Sequence, residues 1–176
     1  MVDKFNYDKN GELAKSGEIN ELILEQVSEH RQTILERRSI LEKQRSLDIK
    51  NYDISFVRGL SLEDGAATIT DYSASLLCDA ILTYCYKVET KKGSTNNMVL
   101  SGGGRKNKFL IKKIKEKIGK YFKITMMDEY NINGDFVESQ AFGFLAIRSF
   151  QKLPISFPET TGCKNPCVGG KILKLY

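Results

Sequence analysis

No stretch of this 176-residue sequence approaches the roughly 18 consecutive apolar residues that a membrane-crossing helix needs. Its start, MVDKFNYDKNGEL, also lacks the apolar run of a secretory signal. These absences lead to the expectation of a cytoplasmic chain with no membrane-crossing helix. Histidine is nearly missing, with His30 alone, and cysteine is sparse. Cys78 and Cys85 sit on an expected helix, and Cys163 and Cys167 lie in a C-K-N-P-C segment. Neither pair has zinc-finger spacing, so four reduced thiols and no metal site are expected. Two phosphate-binding strings are absent as well: there is no G-x-x-x-x-G-K-[ST] and no G-x-G-x-x-G. No internal repeat or low-complexity tract occurs.

What is present is an ordinary globular mixture, 41% hydrophobic and 28% charged, long enough to bury a core without disulfide staples. The formal charge of +5 comes partly from the lysine-rich stretch Lys106 to Lys120. That balance suits a phosphorylated ligand or nucleic acid and selects neither.

Along the chain, residues 5–15 read as a hairpin turning at Asn10-Gly11. The same segment brushes a calcium-loop pattern, but Gly17 stands where the final bidentate acid should fall. Residues 18–45 are helical in composition and become highly charged after residue 28, which predicts a solvated helix or connector. Residues 46–65 read as loop. A long helix is predicted from about Ala66 to Tyr86, burying Leu77, Ala80, Ile81 and Tyr84. KKGSTNN (91–97) is a turn and MVLS (98–101) a strand. A helix follows over 107–118, with Phe109, Leu110, Ile111, Ile114 and Ile118 against a lysine face and Gly119 as its stop. YFKITMM (121–127) is the next strand. A last long helix runs to about Gln151, closed by Pro154 and Pro158, and KILKLY ends the chain as a short strand. The alternation of helices and strands predicts an α/β fold, a mixed sheet flanked by helices.

Three patterns carry possible chemistry. Strand–Gly102-Gly103-Gly104–helix lets a ligand approach bare backbone while a helix start offers amide hydrogens; a plain tight turn is the competing reading. Asp135 and Glu138 have capping-box spacing, although a carboxylate at a helix start can instead hold a sugar hydroxyl. Glu63 and Asp64 are neighbours and do not converge on one atom, so Asp64 reads as a helix cap.

Taken in order, the segments resemble one family. FNYDKNGELAKSGEIN is similar to D-x-x-G-x-x-A-x-x-G-x-[IV]-N, and RSLD (45–48) to the end of a P-P-K-S-x-D/G-R loop. LSLEDGAATIT (60–70) resembles the lead into a long helix. VLSGGGRKNKFL resembles V-x-G-G-G-x-x-N-x-x-L, and NGDFVESQAFGFLA resembles G-x-x-x-D-x-x-E-A-x-A-F-A-x-L-A. TTGCKNPCVGGKI resembles a closing T-G-A…L-G-x-I segment, with Cys163 where the family has alanine. The family is anhydro-N-acetylmuramic acid kinase.

The resemblance implies the carboxy-terminal lobe of an actin-like ATPase (ribonuclease H-like) sugar-kinase fold, with residues 1–45 as hairpin and connector and 46–176 as the lobe. It implies ATP-dependent phosphorylation and ring opening of 1,6-anhydro-N-acetylmuramic acid to N-acetylmuramic acid 6-phosphate, in bacterial peptidoglycan recycling, with Mg2+ across the phosphates. Gly102, Gly103, Gly104 and Asn107 would line the nucleotide and Glu138 would reach the sugar. The family's G-T-S-x-D-G phosphate loop and its D-T-G-P-G-N segment, which carries the base, do not occur here. No catalytic residue is therefore expected in this chain, which should be inactive alone. Its implied partner is a separately encoded amino-terminal lobe, and a homodimer is the second possibility. The competing expectations are a truncated, inactive remnant and a basic nucleic-acid-binding module using Lys106, Lys108, Lys112, Lys113, Lys115 and Lys117.

Overall fold

In a computed structural model of the chain, residues 7–29, 53–85 and 96–173 are described. They fall into two compact units. One is built from the chain up to Val99 with Gly104–Thr125, the other from Leu100–Gly103 with the chain from Met126 onward.

The first unit opens differently from the hairpin expected at 5–15. A short 3-10 turn, Lys9–Gly11, leads directly into helix α1, Glu12–Ser16. The cause is Asp8: its carboxylate accepts the amides of Leu13 (2.9 Å) and Ala14 (3.0 Å), satisfying donors that a helix start leaves orphaned. Asn10 and Gly11 take positive φ, 61° and 75°, so the turn exists but feeds a helix. Residues 21–29 form helix α2. Asn20 caps it, its side-chain oxygen accepting the Ile23 amide at 3.1 Å.

Helix α3, Leu62–Cys85, starts four residues earlier than the sequence suggests. Ser61 is its cap rather than Asp64: the Ser61 hydroxyl accepts the Asp64 amide at 3.0 Å. Its buried face is also not the expected one. Leu77 is 43% exposed and Ala80 is exposed, whereas Ala67, Thr68, Asp71, Ala74 and Cys78 are buried. Small side chains there let α1 and the later helix α4 pack closely against α3. Asp71 is tolerated in that face because Lys117 donates to it at 3.0 Å and Lys113 lies at 3.8 Å. Burial pushes the Cys78 thiol pKa up.

Strand β1 (Asn96–Leu100), helix α4 (Lys108–Ile118) and strand β2 (Phe122–Met126) follow the expected order, and the two strands pair in a small parallel sheet. Ile111, Ile114 and Ile118 are buried one turn apart along α4, as their spacing predicts, and Phe122 continues the core into β2. Phe109 and Leu110 are half-buried. Gly119 ends α4 in an ordinary right-handed conformation.

In the second unit, helix α5 spans Val137–Phe150, and Arg148 secures its end by donating to the Pro154 carbonyl at 2.7 Å. Pro158 opens a further short helix, α6 (Pro158–Thr161), besides closing the segment before it. Ser156 and Cys167 pair as an isolated antiparallel bridge. Residues 171–173 do not form the strand expected at KILKLY. The charged segment from 30 to 45, RSLD, residues 91–95, His30 and the boundary placed at 45/46 lie outside the described residues. Among the described residues no helix is long and apolar enough to cross a membrane.

Candidate functional site

The glycine run divides between the units. Gly102 and Gly103 belong with Glu138 in the second, and Gly104 and Asn107 belong to the first.

Within the second unit, the Gly102 amide donates to the Gly134 carbonyl at 2.9 Å. This bond joins the glycine turn to the loop that opens α5. Gly134 is itself buried, and its amide points to the Asp128 carboxylate at 3.4 Å. Gly102 has φ +79°, a conformation that strongly favours glycine. Gly103 has no such constraint. A side-chain carbon placed there, or at Gly102, meets no atom of the described residues within 4 Å. Among the described residues nothing therefore demands glycine at 103, and the turn presents bare backbone to its surroundings.

The capping box expected at Asp135 and Glu138 does not form. Phe136 occupies the cap position of α5 without a side-chain cap bond, and Glu138 falls in the first turn. The Asp135 amide instead donates to the Asn133 side chain at 2.9 Å, an Asx turn. Glu138 is exposed, and its carboxylate is not used to close the helix end. A negative charge in that first turn is favoured by the helix dipole, which holds it there without consuming its acceptor oxygens.

In the first unit Asn107 is the N-cap of α4, its side-chain oxygen accepting the Leu110 amide at 2.9 Å. Its own amide donates to the Gly104 carbonyl at 3.0 Å. The same side-chain oxygen lies 2.1 Å from where a side-chain carbon on Gly11 would sit. Two of the recurring motifs thus interlock: glycine at 11 leaves the space that Asn107 fills.

A similar lock holds Gly17 against α3. A side-chain carbon there would stand 2.1 Å from the Glu63 carbonyl oxygen. Just beyond it, the Glu18 amide donates to Asp64 at 2.8 Å and the Asn20 amide to Thr68 at 3.1 Å. The Glu18 amide, and then the Ser61 hydroxyl, hold the Asp64 carboxyl below its ordinary pKa of 3.8. Sequence alone marks Gly11 only as a turn residue and assigns Gly17 and Asn20 no role; the structure makes Gly11 and Gly17 close-packing positions and Asn20 a cap.

The lysine face is partly spent on the fold. Lys113 and Lys117 turn to Asp71, and Lys112 and Lys113 both pair with Glu116. Among the described residues, no three acidic, histidine or cysteine side chains gather as they would to cage a metal ion. Mg2+ accompanying a nucleotide needs no such cage, since phosphate oxygens and water complete its shell around one or two carboxylates.

The mixed α/β fold, with its strand–glycine turn–helix connection, is of a kind that suits a sugar kinase family. The profile of one such family, described as anhydro-N-acetylmuramic acid kinase, matches residues 2–174. An anhydro-N-acetylmuramic acid kinase of Pelagibacter ubique is 40% identical over 173 residues, 98% of this chain and 44% of that protein. One from Zymomonas mobilis is 32% identical over 128 residues, covering 73% of this chain and 33% of its own length. One from Rhizobium rhizogenes is 32% identical over 167 residues, 94% of this chain and 40% of its length. The chain belongs to the anhydro-N-acetylmuramic acid kinase family. It spans less than half the length of these relatives.

Proposed function

We propose that this chain supplies the nucleotide-side lobe of an actin-like sugar kinase. The reaction is ATP-dependent phosphorylation of 1,6-anhydro-N-acetylmuramic acid with opening of its anhydro ring. Gly102 and Gly103, with Gly104 and Asn107 of the same motif, would take the nucleotide, and Glu138 would accept a sugar hydroxyl. The observation that carries this reading is the Gly102–Gly134 hydrogen bond. In a chain matched to the family over residues 2–174, that bond ties the glycine turn to the loop opening the Glu138 helix.

The chemistry fits these groups. Phosphoryl transfer asks a protein mainly for positioning and charge stabilisation, with magnesium bridging the phosphates. Bare glycine backbone allows close approach of phosphate or ribose, and a carboxylate with unspent oxygens orients a hydroxyl. The remaining parts, a phosphate loop and a base for the attacking water, would come from an amino-terminal lobe.

The test is complementation. The purified chain, alone and mixed with a candidate amino-terminal lobe, is assayed for ADP release in the presence of the anhydro-sugar, ATP and Mg2+. Activity in the mixture and not in either part supports the proposal. Absence of activity in every combination, together with no thermal stabilisation of the chain by ATP, overturns it.

A further inference from the structure

The positive charge of this chain is gathered in one place. Residues 105–123 hold nine of the 27 lysines and arginines and one of the 22 acidic residues, Glu116. That segment is therefore net +8, and the remainder of the chain, against a total of +5, is net −3. Most of the segment is helix α4. The fold accounts for the lysines that turn inward: Lys117 donates to Asp71 at 3.0 Å, and Lys113 lies 3.8 Å from Asp71 and 3.2 Å from Glu116. It does not account for the outward ones. Lys108, Lys112 and Lys115 are all exposed. Lys112 meets Glu116 at 3.7 Å, but the two side chains are 67% and 47% exposed, so water screens the pair. Lys108 and Lys115 have no acidic partner among the described residues.

These three lysines stand three, four and seven positions apart. Like charges at such spacings share one face of a helix and repel each other. The arrangement costs the fold stability, which points to an anion outside it. The place that anion would reach is the start of the same helix, where Gly104 and Asn107 lie. At about 1.5 Å of rise per residue, Lys115 stands roughly 12 Å along the axis from Asn107, and Lys108 and Lys112 stand nearer. Helical side chains lean back toward the helix start, which shortens the separation. Such distances are close to the screening length of about 10 Å at 0.1 M salt.

We infer that Lys108, Lys112 and Lys115 form a steering surface that draws an anionic nucleotide to the Gly104–Asn107 end of α4. The inference rests on the nucleotide reading proposed above. The lysines act on the rate of encounter and not on the bound state. Exposed charges of one sign raise the local concentration of an oppositely charged ligand without having to touch it. The exposed positions of α4 are lysines and Glu116, with no aromatic ring for stacking bases, so the face suits a small phosphate-bearing ligand rather than a single-stranded nucleic acid.

The test mixes the full chain with a fluorescent ATP analogue and Mg2+ in a stopped-flow instrument over a series of ionic strengths. A variant carrying Lys108→Gln, Lys112→Gln and Lys115→Gln is run beside it. Association with the unaltered chain should slow as salt is added. At low ionic strength the glutamine variant should associate about 5- to 10-fold more slowly, with dissociation unchanged. The difference should vanish by about 0.5 M salt. Arginine at the same three positions should restore the rate, and uncharged adenosine should bind all three chains alike. Equal association rates, a loss that survives high salt, or a loss carried by dissociation overturns the inference and leaves the nucleotide site standing. No nucleotide binding to the unaltered chain at any ionic strength overturns the nucleotide reading, and this inference with it.

Discussion

Gly17 has no room for a side chain because the Glu63 carbonyl occupies that space, and the consequence can be measured. Gly17→Ala should cost about 1–3 kcal/mol in chemical denaturation, the range for forcing one extra carbon into a filled site. Asp71 makes a different demand. It is 7% exposed and stands between two lysines, so Asp71→Ala should cost about 1.5–3 kcal/mol by loss of charge-assisted hydrogen bonds and stranding of Lys117. Asp64 offers a pH test. Its folded pKa lies below the ordinary 3.8, so the unfolded chain binds its proton more readily. The stabilisation is therefore fully present above that ordinary value and fades as the pH falls through the lower folded one. The Asp64 carboxyl signal in an NMR titration should move at a lower pH than a free aspartate, and Glu18→Pro, which removes the donating amide, should shift it back upward. Gly103 is the counter-case. With no atom of the described residues within 4 Å, Gly103→Ala should leave stability within about 0.5 kcal/mol while abolishing any rise in Tm caused by ATP.

Among the elements, α5 and α4 show what can be read from order in the chain and what cannot. The isoleucines at 111, 114 and 118 made α4 legible, since large apolar residues at helical spacing face a core; the capping role of Asn107 came only with the structure. α3 was legible as a helix but not in its orientation. Hydrophobic periodicity gives weight to Leu77 and Ile81, whereas this core selects Ala67, Thr68, Ala74 and a neutralised Asp71 because close packing needs small side chains. The hairpin misreading at the start has a similar source. Asp8 reaches five and six residues ahead to cap α1, a contact that local turn propensity does not encode. At the candidate site, the glycine turn and the Glu138 helix start were both visible as strings; the Gly102–Gly134 bond joining them was not, because it depends on tertiary folding. Since Glu138 closes no cap, Glu138→Gln should leave the melting temperature unchanged. In a reconstituted kinase it should lower kcat/KM for the sugar by about 10- to 100-fold, the cost of weakening one charged hydrogen bond.

For the whole molecule, the apolar side chains of α5 are notable for where they are not buried. Phe142, Phe144, Ile147 and Phe150 are all more than half exposed. Apolar surface of this extent drives association, so the isolated chain should show a mass that rises with concentration in light scattering, and a complementing lobe should suppress that rise. Folding speed is tied to another feature. The Glu18–Asp64, Asn20–Thr68 and Lys117–Asp71 tethers join positions 46 to 48 residues apart. Each pays the entropy of closing a long loop before it returns any energy, so the first unit has the kinetics of a non-local topology despite its helices. Refolding in a stopped-flow instrument should run slower than in a helical bundle of equal length, and Gly17→Ala should slow it further if α1 docks on α3 in the rate-limiting step.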